Sequence, residues 1–133
     1  MALRFHPQPG TIVICDYKGF EAPEMIKRRP AIVISPRFRD RLGLCTIVPC
    51  STTVPKNIMP YHYEITLDQP MSEAYPSIKQ WVKCDMLATV GFSRLSLPHN
   101  GKDSQGKRLY VDIVIPSRDL DAIRQSVMHA IGL

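Results

Sequence analysis

The sequence predicts a mostly β fold, a small and strongly bent sheet or barrel followed by one C-terminal helix. Short apolar or alternating runs, which are typical of strands, recur along the chain, and turn residues separate them. Apolar residues at helical spacing occur near the C-terminus. Because no repeat and no linker divides the 133 residues, we expect one domain, residues 1–133.

Two strands are predicted in the N-terminal part of the chain. Residues 11–15 are apolar and follow a proline–glycine turn, and a polar loop then spans residues 17–28. Pro30 introduces the second strand, residues 31–35, because a residue without an N–H suits the first position of a strand. The unbroken apolar run in this second strand is typical of a strand that is buried on both faces.

The middle of the chain continues this pattern. Residues 61–67 alternate between apolar and polar side chains, which predicts a strand with one face in water. Residues 98–106 are rich in turn-forming residues and predict the tip of a hairpin. The remaining predicted strands are residues 44–48, 78–84, 86–92 and 109–115.

The C-terminal helix is predicted to begin at Ser117, whose hydroxyl would cap the first free N–H groups. Asp119 and Asp121 would complement the positive end of the helix dipole. Apolar side chains then recur at helical spacing, so that one face of the helix would pack on the sheet. These side chains are Leu120, Ile123, Val127 and Ile131.

The composition excludes several classes of protein. A hydrophobic content of 44% and a charged content of 22% are ordinary for a globular domain. No apolar run approaches the roughly 18 residues that a membrane span needs, and residues 1–6 lack the apolar stretch of a secretory signal. We therefore expect a cytoplasmic protein that has no contact with a membrane.

The cysteines predict neither a metal centre nor a disulfide framework. Cys15, Cys45, Cys50 and Cys84 form no C-x-x-C pair, and none has a histidine at the spacing of a zinc finger. Most of them lie in apolar runs, where a free cysteine behaves as a small buried hydrophobic residue. We expect reduced, structural thiols and no metal.

Positive charge is concentrated on both sides of the predicted strand 31–35. The formal net charge is +5, and cations occur in residues 27–29 and again in residues 37–41. Such clusters favour a polyanionic partner, because bound cations release counterions from a phosphate backbone. Solubility alone would also account for a net charge of this size.

Short motifs follow one another in a fixed order along nearly the whole chain. The most specific is Arg-Pro-Ala-Ile-Val-Ile-Ser-Pro at residues 29–36, and Val-Pro-Cys-Ser-Thr-Thr follows at residues 48–53. Trp-Val-Lys-Cys-Asp at residues 81–85 and the amphipathic C-terminal helix complete the set. Together these motifs resemble the PemK/MazF family of type II toxin–antitoxin toxins.

The resemblance implies an SH3-like barrel of the PemK/MazF/CcdB type, usually a homodimer, that cuts single-stranded RNA without a metal or another cofactor. By the family's motifs, Arg29 matches a catalytic arginine and Ser51 a catalytic hydroxyl that is threonine in many relatives. Glu24 matches an acidic position of some members. We further expect RNA contacts from a set of polar and basic neighbours, namely Lys27, Arg28, Arg37, Thr52 and Thr53.

The chemistry of these residues suits RNA cleavage by attack of a 2′-OH on the adjacent phosphorus. A planar guanidinium donates parallel hydrogen bonds to phosphate oxygens and stabilises the extra charge of the transition state, which is the role expected of Arg29. Because a guanidinium stays protonated near neutral pH, Arg29 is a poor base. Ser51 would bind a phosphate oxygen or orient the attacking hydroxyl, and Glu24 is the carboxylate nominated as the base.

Each of these residues also has a simpler interpretation. Arg29 could be a solvated charge at a strand start, and residues 51–53 could form an ordinary polar turn whose hydroxyls satisfy local backbone groups. Trp81 is expected in the core or in a dimer interface rather than as a platform for a base.

The sequence is compatible with two functions. The first is a toxin-like endoribonuclease that an antitoxin inhibits through an acidic, disordered C-terminal segment lying over residues 27–29. The second is a binding module without catalysis on the same barrel, either a degenerate PemK-like protein that binds RNA or protein, or a gyrase poison like CcdB. The absence of tryptophan near the C-terminus argues against the gyrase poison.

Overall fold

The computed structural model describes residues 2–133 and consists mostly of antiparallel strands with one C-terminal helix, which confirms the predicted fold class. The strands are β1 (Ile12–Cys15), β2 (Arg29–Val33), β3 (Leu44–Ser51), β4 (His62–Thr66), β5 (Lys79–Lys83), β6 (Ala88–Gly91), β7 (Leu95–Ser96), β8 (His99–Lys102) and β9 (Arg108–Tyr110). The helix α1 is Ser117–Ala130, and two short 3₁₀ turns cover Cys84–Met86 and Phe92–Arg94.

The strands close into a small barrel. β1 pairs with β2, β2 with β3, and β3 with β6. The chain then passes through the Phe92–Arg94 turn into β7, which pairs with the other edge of β1. Because one short turn joins β6 to β7, the series of strands that begins at β1 also ends at β1. Two further strands lie outside this ring: β5 pairs with the end of β3, and β4 pairs with β5.

β3 changes its partner along its length. Its first half pairs with β6, ending at Ile47 opposite Ala88, and its last two residues pair with β5. Pro49 lies between these two partners, where β3 has no assigned pairing on the β5–β6 side. A proline is tolerated there because it removes no hydrogen bond from that edge.

Two apolar cores lie on opposite faces of the central strands. The barrel interior is formed by the cluster that contains Val13, Ala31 and Val33. The second core, which contains Ile12 and Ile32, lies between the sheet and α1. β1 and β2 therefore bury both faces, as their unbroken apolar runs predict.

The helix packs on the second core, although two of its predicted details are wrong. Pro116 occupies the N-cap position and no side chain caps the helix, so Ser117 is the first helical residue and not the cap. Ile123 is fully buried, whereas Ile131 follows the last helical residue and is exposed. The apolar stripe therefore ends about one turn before Ile131.

Predicted and observed strand ends differ most near the C-terminus. The predicted strand 109–115 is assigned as a strand only in β9, Arg108–Tyr110, where all three residues are exposed. Residues 113–115 instead lie beside the start of β1, and the Ile12 N–H donates to the Ile113 carbonyl at 2.9 Å. The predicted hairpin tip 98–106 is part of the small two-stranded sheet β8–β9.

Trp81 is partly exposed and belongs to neither core. Of its two expected positions, the core is therefore excluded and the dimer interface stays a prediction. Within residues 2–133, all four cysteines are buried and none is in a disulfide bond, as expected for structural thiols. Burial raises the pKa of the Cys15 thiol to about 11 and that of the Cys84 thiol to about 12.

In the described part of the chain, residues 2–133, no helix is long and apolar enough to cross a membrane.

Candidate active site

A pocket of about 330 Å³ lies where β2 begins and β3 ends. We call it the Arg29 pocket, and it contains both of the residues that the motifs nominate most strongly, Arg29 and Ser51. The other lining residues are Pro30, Cys50, Thr52, Ala74, Tyr75, Pro76, Ser77 and Gln80.

The register of the two strands explains why Arg29 and Ser51 meet. Ala31 of β2 lies opposite Pro49 of β3 in an antiparallel pair. If this register is extended by two residues, back along β2 and forward along β3, Arg29 falls opposite Ser51. Directly opposite residues of an antiparallel pair present their side chains on the same face of the sheet, so the two strand ends bring a guanidinium and a hydroxyl into one pocket.

Arg29 is mounted on the sheet and is not part of a free loop. It is the first residue of β2, it lies opposite Cys15 of β1, and it is partly buried. Its Nε is buried and has no hydrogen-bond partner within residues 2–133. A buried N–H without a partner is costly, so the fold holds the Arg29 guanidinium at this position at an energetic cost.

Ser51 is 4% exposed and closes a local turn. Its Oγ accepts a hydrogen bond from the Thr53 N–H at 3.1 Å, which is the contact expected of an ordinary polar turn. A hydroxyl that accepts one bond still carries a hydrogen to donate. Ser51 can therefore hold its turn and donate to a phosphate oxygen at the same time.

The two threonines that follow Ser51 differ in position. Thr52 is exposed and lines the pocket, whereas Thr53 is exposed and is not among the lining residues.

Glu24 does not line the Arg29 pocket. It is exposed in the loop before β2, and its Oε1 accepts a hydrogen bond from the Glu21 N–H at 3.0 Å. The lining residues of the pocket include no carboxylate and no imidazole. Charge stabilisation is therefore the chemistry that the pocket itself offers most directly.

The remaining cations that the sequence nominates lie outside the Arg29 pocket. Arg28 forms an ion pair with Asp16, with 3.1 Å between the guanidinium nitrogen and the carboxylate oxygen. Lys27 is exposed in the same loop. Arg37 lines a separate pocket of about 370 Å³ together with Phe38 and other residues that follow β2. Of the predicted RNA-binding residues, only Thr52 joins Arg29 and Ser51.

The segment 74–77 forms a wall of the Arg29 pocket that the sequence motifs do not reveal. Tyr75 is partly buried, and its burial raises the pKa of its hydroxyl, while the positive charges of Arg28 and Arg29 lower it. Gln80 is buried, and its side-chain amide donates to the Ser77 carbonyl at 3.0 Å, which holds the wall in place. No local pattern marks this segment, because its polar and proline residues are typical of any loop.

The fold is that of known toxins with an SH3-like barrel. A solved structure described as an endoribonuclease in complex with its cognate antitoxin, from a mycobacterial species, matches with a TM-score of 0.62 at 20% sequence identity. The match covers 96% of each chain. This likeness shows that the two chains share the barrel and the C-terminal helix.

The sequence identifies the family within that class. The pattern of the PemK-like, MazF-like toxins of type II toxin–antitoxin systems matches residues 8–130, and the chain belongs to this family. An uncharacterised protein of Haemophilus influenzae is 29% identical over 112 residues, which are 74% of this chain and 75% of that protein. The endoribonuclease toxin MazF of Escherichia coli K12 is 34% identical over 53 residues, 39% of this chain and 48% of that protein.

Proposed function

We propose that this protein is an endoribonuclease toxin that cleaves single-stranded RNA in the cytoplasm without a metal ion or another cofactor. The observation that supports this most strongly is the convergence of Arg29 and Ser51 in one pocket. Membership of a toxin family and partial similarity to an endoribonuclease support the same activity.

In the proposed reaction, the ribose 2′ oxygen attacks the adjacent phosphorus and the bond from phosphorus to the 5′ oxygen breaks. The leaving 5′ oxygen takes a proton from solvent water, so the products are a 2′,3′-cyclic phosphate and a 5′-hydroxyl. Arg29 donates hydrogen bonds to the non-bridging oxygens, whose negative charge grows in the transition state. Ser51 donates its hydroxyl hydrogen to one of these oxygens, which fixes the phosphate between β2 and β3.

The proton of the 2′-hydroxyl goes to Glu24 in this proposal. Glu24 lies five residues before Arg29, in the loop that ends at β2, but outside the Arg29 pocket. A role as base therefore requires the loop 17–28 to close over bound RNA. Lys27 and Arg28 are in the same loop and would contact the backbone of the RNA as it closes. Arg37 and Thr53, further from Arg29 along the chain, would contact RNA that extends past the pocket.

An antitoxin with an acidic, disordered C-terminal segment is the proposed inhibitor. Such a segment would compete with RNA for the cations at residues 27–29, because carboxylates and phosphates bind the same guanidinium groups. In a pull-down, Arg29→Glu should reduce capture of the antitoxin, and undiminished capture would count against this arrangement.

A homodimer is the proposed assembly. The partly exposed Trp81 and the exposed Ile78 lie at β5, where a symmetric apolar contact would cover them. Sedimentation at several protein concentrations would test this, and a monomer at all of them would contradict it.

The experiment that tests the function compares three proteins on one long, end-labelled single-stranded RNA in EDTA. The wild-type protein should produce discrete fragments, and Arg29→Ala should produce none over the same time. Arg124→Ala is the matched control, because it also removes one positive charge but from the exposed face of α1. Intact RNA with the folded wild-type protein would favour a binding module without catalysis.

A further inference from the structure

A second pocket adjoins the Arg29 pocket and has a volume of about 500 Å³. We call it the hairpin pocket, because the hairpin β8–β9 forms one of its walls through His99, Arg108 and Tyr110. Its floor comes from the barrel strands β1 and β7. A volume of this size lies within the range of about 300–1,000 Å³ that small-molecule sites occupy.

The two pockets are neighbours that share one wall. Ala74 and Tyr75 line both of them. Arg29 lines one pocket, and Arg28, the preceding residue, lines the other. Tyr75 therefore lies near both guanidinium groups; burial raises the pKa of its hydroxyl, and the two positive charges lower it. A chain of nucleotides that has one phosphate at Arg29 would therefore continue directly past Tyr75.

The hairpin pocket is basic. Arg28, Arg94 and Arg108 line it, and the one acidic lining residue, Asp16, forms an ion pair with Arg28. The Arg94 guanidinium donates to the backbone carbonyls of Asp16 and Lys18. Arg108 is exposed in β9. Unlike those of Arg28 and Arg94, its guanidinium is in no ion pair or hydrogen bond with another side chain or carbonyl of residues 2–133, so it is available to a phosphate.

Aromatic rings stand beside these cations. The rings of His99 and Tyr110 pack edge to face with 6.1 Å between their centroids, and Tyr75 lines the same pocket. Aromatic faces next to basic groups are the usual recognition elements for a base and a phosphate of single-stranded nucleic acid.

The hairpin is tied to the wall that the two pockets share. The Glu73 N–H donates to Asn100 Oδ1 at 2.7 Å, which joins β8 to the segment before Tyr75. At the base of the hairpin, the Val111 N–H donates to the Pro98 carbonyl at 2.8 Å. The hairpin therefore holds its side chains at a defined place relative to Arg29, as a specificity determinant requires.

We propose that the hairpin pocket binds one nucleotide of single-stranded RNA next to the scissile phosphate, and that the β8–β9 hairpin thereby selects the base at that position. The base stacks on the aromatic rings and its phosphate binds Arg108. This assignment rests on the proposed ribonuclease activity and adds a specificity site to it.

The test maps cleavage sites on a long single-stranded RNA by sequencing the fragment ends. Arg108→Ala should still cut but should lose the base preference at one position beside the scissile bond. Lys107→Ala is the matched control, since it removes the neighbouring positive charge of the hairpin from a residue that does not line the pocket. It should keep the wild-type preference. Tyr75→Ala, checked for folding by circular dichroism, should lose preference at the same position as Arg108→Ala.

A measurement of RNA affinity tests the nucleotide site in the hairpin pocket independently of whether the protein cleaves RNA. With a fluorescein-labelled random 12-nucleotide RNA in which every 2′-hydroxyl is methylated, Arg108→Ala should weaken affinity by about tenfold and Lys107→Ala by less than about threefold. Equal effects of the two substitutions, or a base preference in Arg108→Ala identical to the wild type, would overturn the assignment. If the wild-type protein does not cut RNA, the difference in affinity alone decides whether the pocket binds a nucleotide.

Discussion

Arg29 is the residue on which the proposed chemistry depends, and its role follows from where the sheet holds it. It begins β2 and lines the same pocket as Ser51, and its buried Nε has no hydrogen-bond partner within the described residues 2–133. Both residues could be predicted from the sequence because each belongs to a short motif at the end of one strand. Tyr75 could not, because its place in the pocket depends on how a distant loop packs and not on its sequence neighbours.

Glu24 lies in the exposed loop before β2, outside the Arg29 pocket, so its substitution tests whether this loop takes part in the reaction. Glu24→Gln keeps the oxygen that accepts from the Glu21 N–H but removes the proposed base. Loss of a general base typically costs about 10²–10⁴-fold in rate, so we expect kcat to fall by about 100-fold with little change in RNA affinity. Single-turnover cleavage rates on one RNA would measure this.

Glu21→Gln is the matched control for that measurement, because Glu21 is exposed in the same turn. It should leave the rate within about twofold of the wild type, since a side chain outside the reaction contributes no proton transfer. A Glu24→Gln protein as active as Glu21→Gln would show that the Arg29 pocket works without this carboxylate.

At the scale of elements, the strands that could be predicted from the sequence are the ones with a strong local pattern. The apolar runs of β1 and β2 and the alternation of β4 are examples. The two residues of β7 and the polar strand β8 carry no such pattern. β7 forms because β1, about 80 residues earlier, offers it a free edge. β8 forms because it pairs with β9 across a local turn, and the turn residues 98–106 predict that turn although the polar strand itself carries no pattern.

One hydrogen bond joins β4 to the helix and can be tested separately. The Tyr63 hydroxyl donates to Asp119 Oδ1 at 2.5 Å, and Asp119 is buried at the start of α1. Tyr63→Phe would leave this carboxylate without its donor, so we expect the free energy of unfolding to fall by about 1.5–3 kcal/mol. Urea unfolding followed by circular dichroism would measure it.

Tyr61→Phe serves as the control, because Tyr61 lies just before the same strand and its hydroxyl has no hydrogen bond among residues 2–133. Its unfolding free energy should stay within about 0.5 kcal/mol of the wild type. Equal values for the two variants would mean that the contact between Tyr63 and Asp119 contributes nothing to holding α1 on the sheet.

At the scale of the whole molecule, closure of the barrel is what brings the motifs together. The predicted fold class required only counting strands and one helix, but the pairing of β7 with β1 and the place of segment 74–77 depend on contacts between distant residues. Only part of the Arg29 pocket could therefore be predicted from the sequence. The motifs predict the strand ends that carry Arg29 and Ser51, but no motif predicts the wall formed by segment 74–77.

Burial of the cysteines gives the whole protein a pH dependence. The folded-state pKa of Cys15 is raised to about 11 and that of Cys84 to about 12, with burial as the main cause. An unfolded thiol titrates near pH 8.5, so the unfolded chain loses protons first as the pH rises. The thiol contribution to stability is complete below about pH 8.5 and declines as the pH rises through 11 and 12.

The urea midpoint, measured with a reducing agent present, should therefore be lower at pH 10 than at pH 8. Cys15→Ala should show a smaller decline between these two pH values, because one of the titrating thiols is gone. A midpoint that stays constant or rises between them would contradict the buried state of the thiols.

The proposed role of Arg29 in stabilising the transition state of RNA cleavage is tested most directly by measuring rate and affinity separately for Arg29→Ala. We predict that the single-turnover rate in EDTA falls by about 10³-fold or more, while affinity for a 2′-O-methylated RNA changes by less than about tenfold. The wild-type fragments should end in a 2′,3′-cyclic phosphate. Equal losses of rate and affinity, or fragments that end in a 3′-hydroxyl, would contradict the claim.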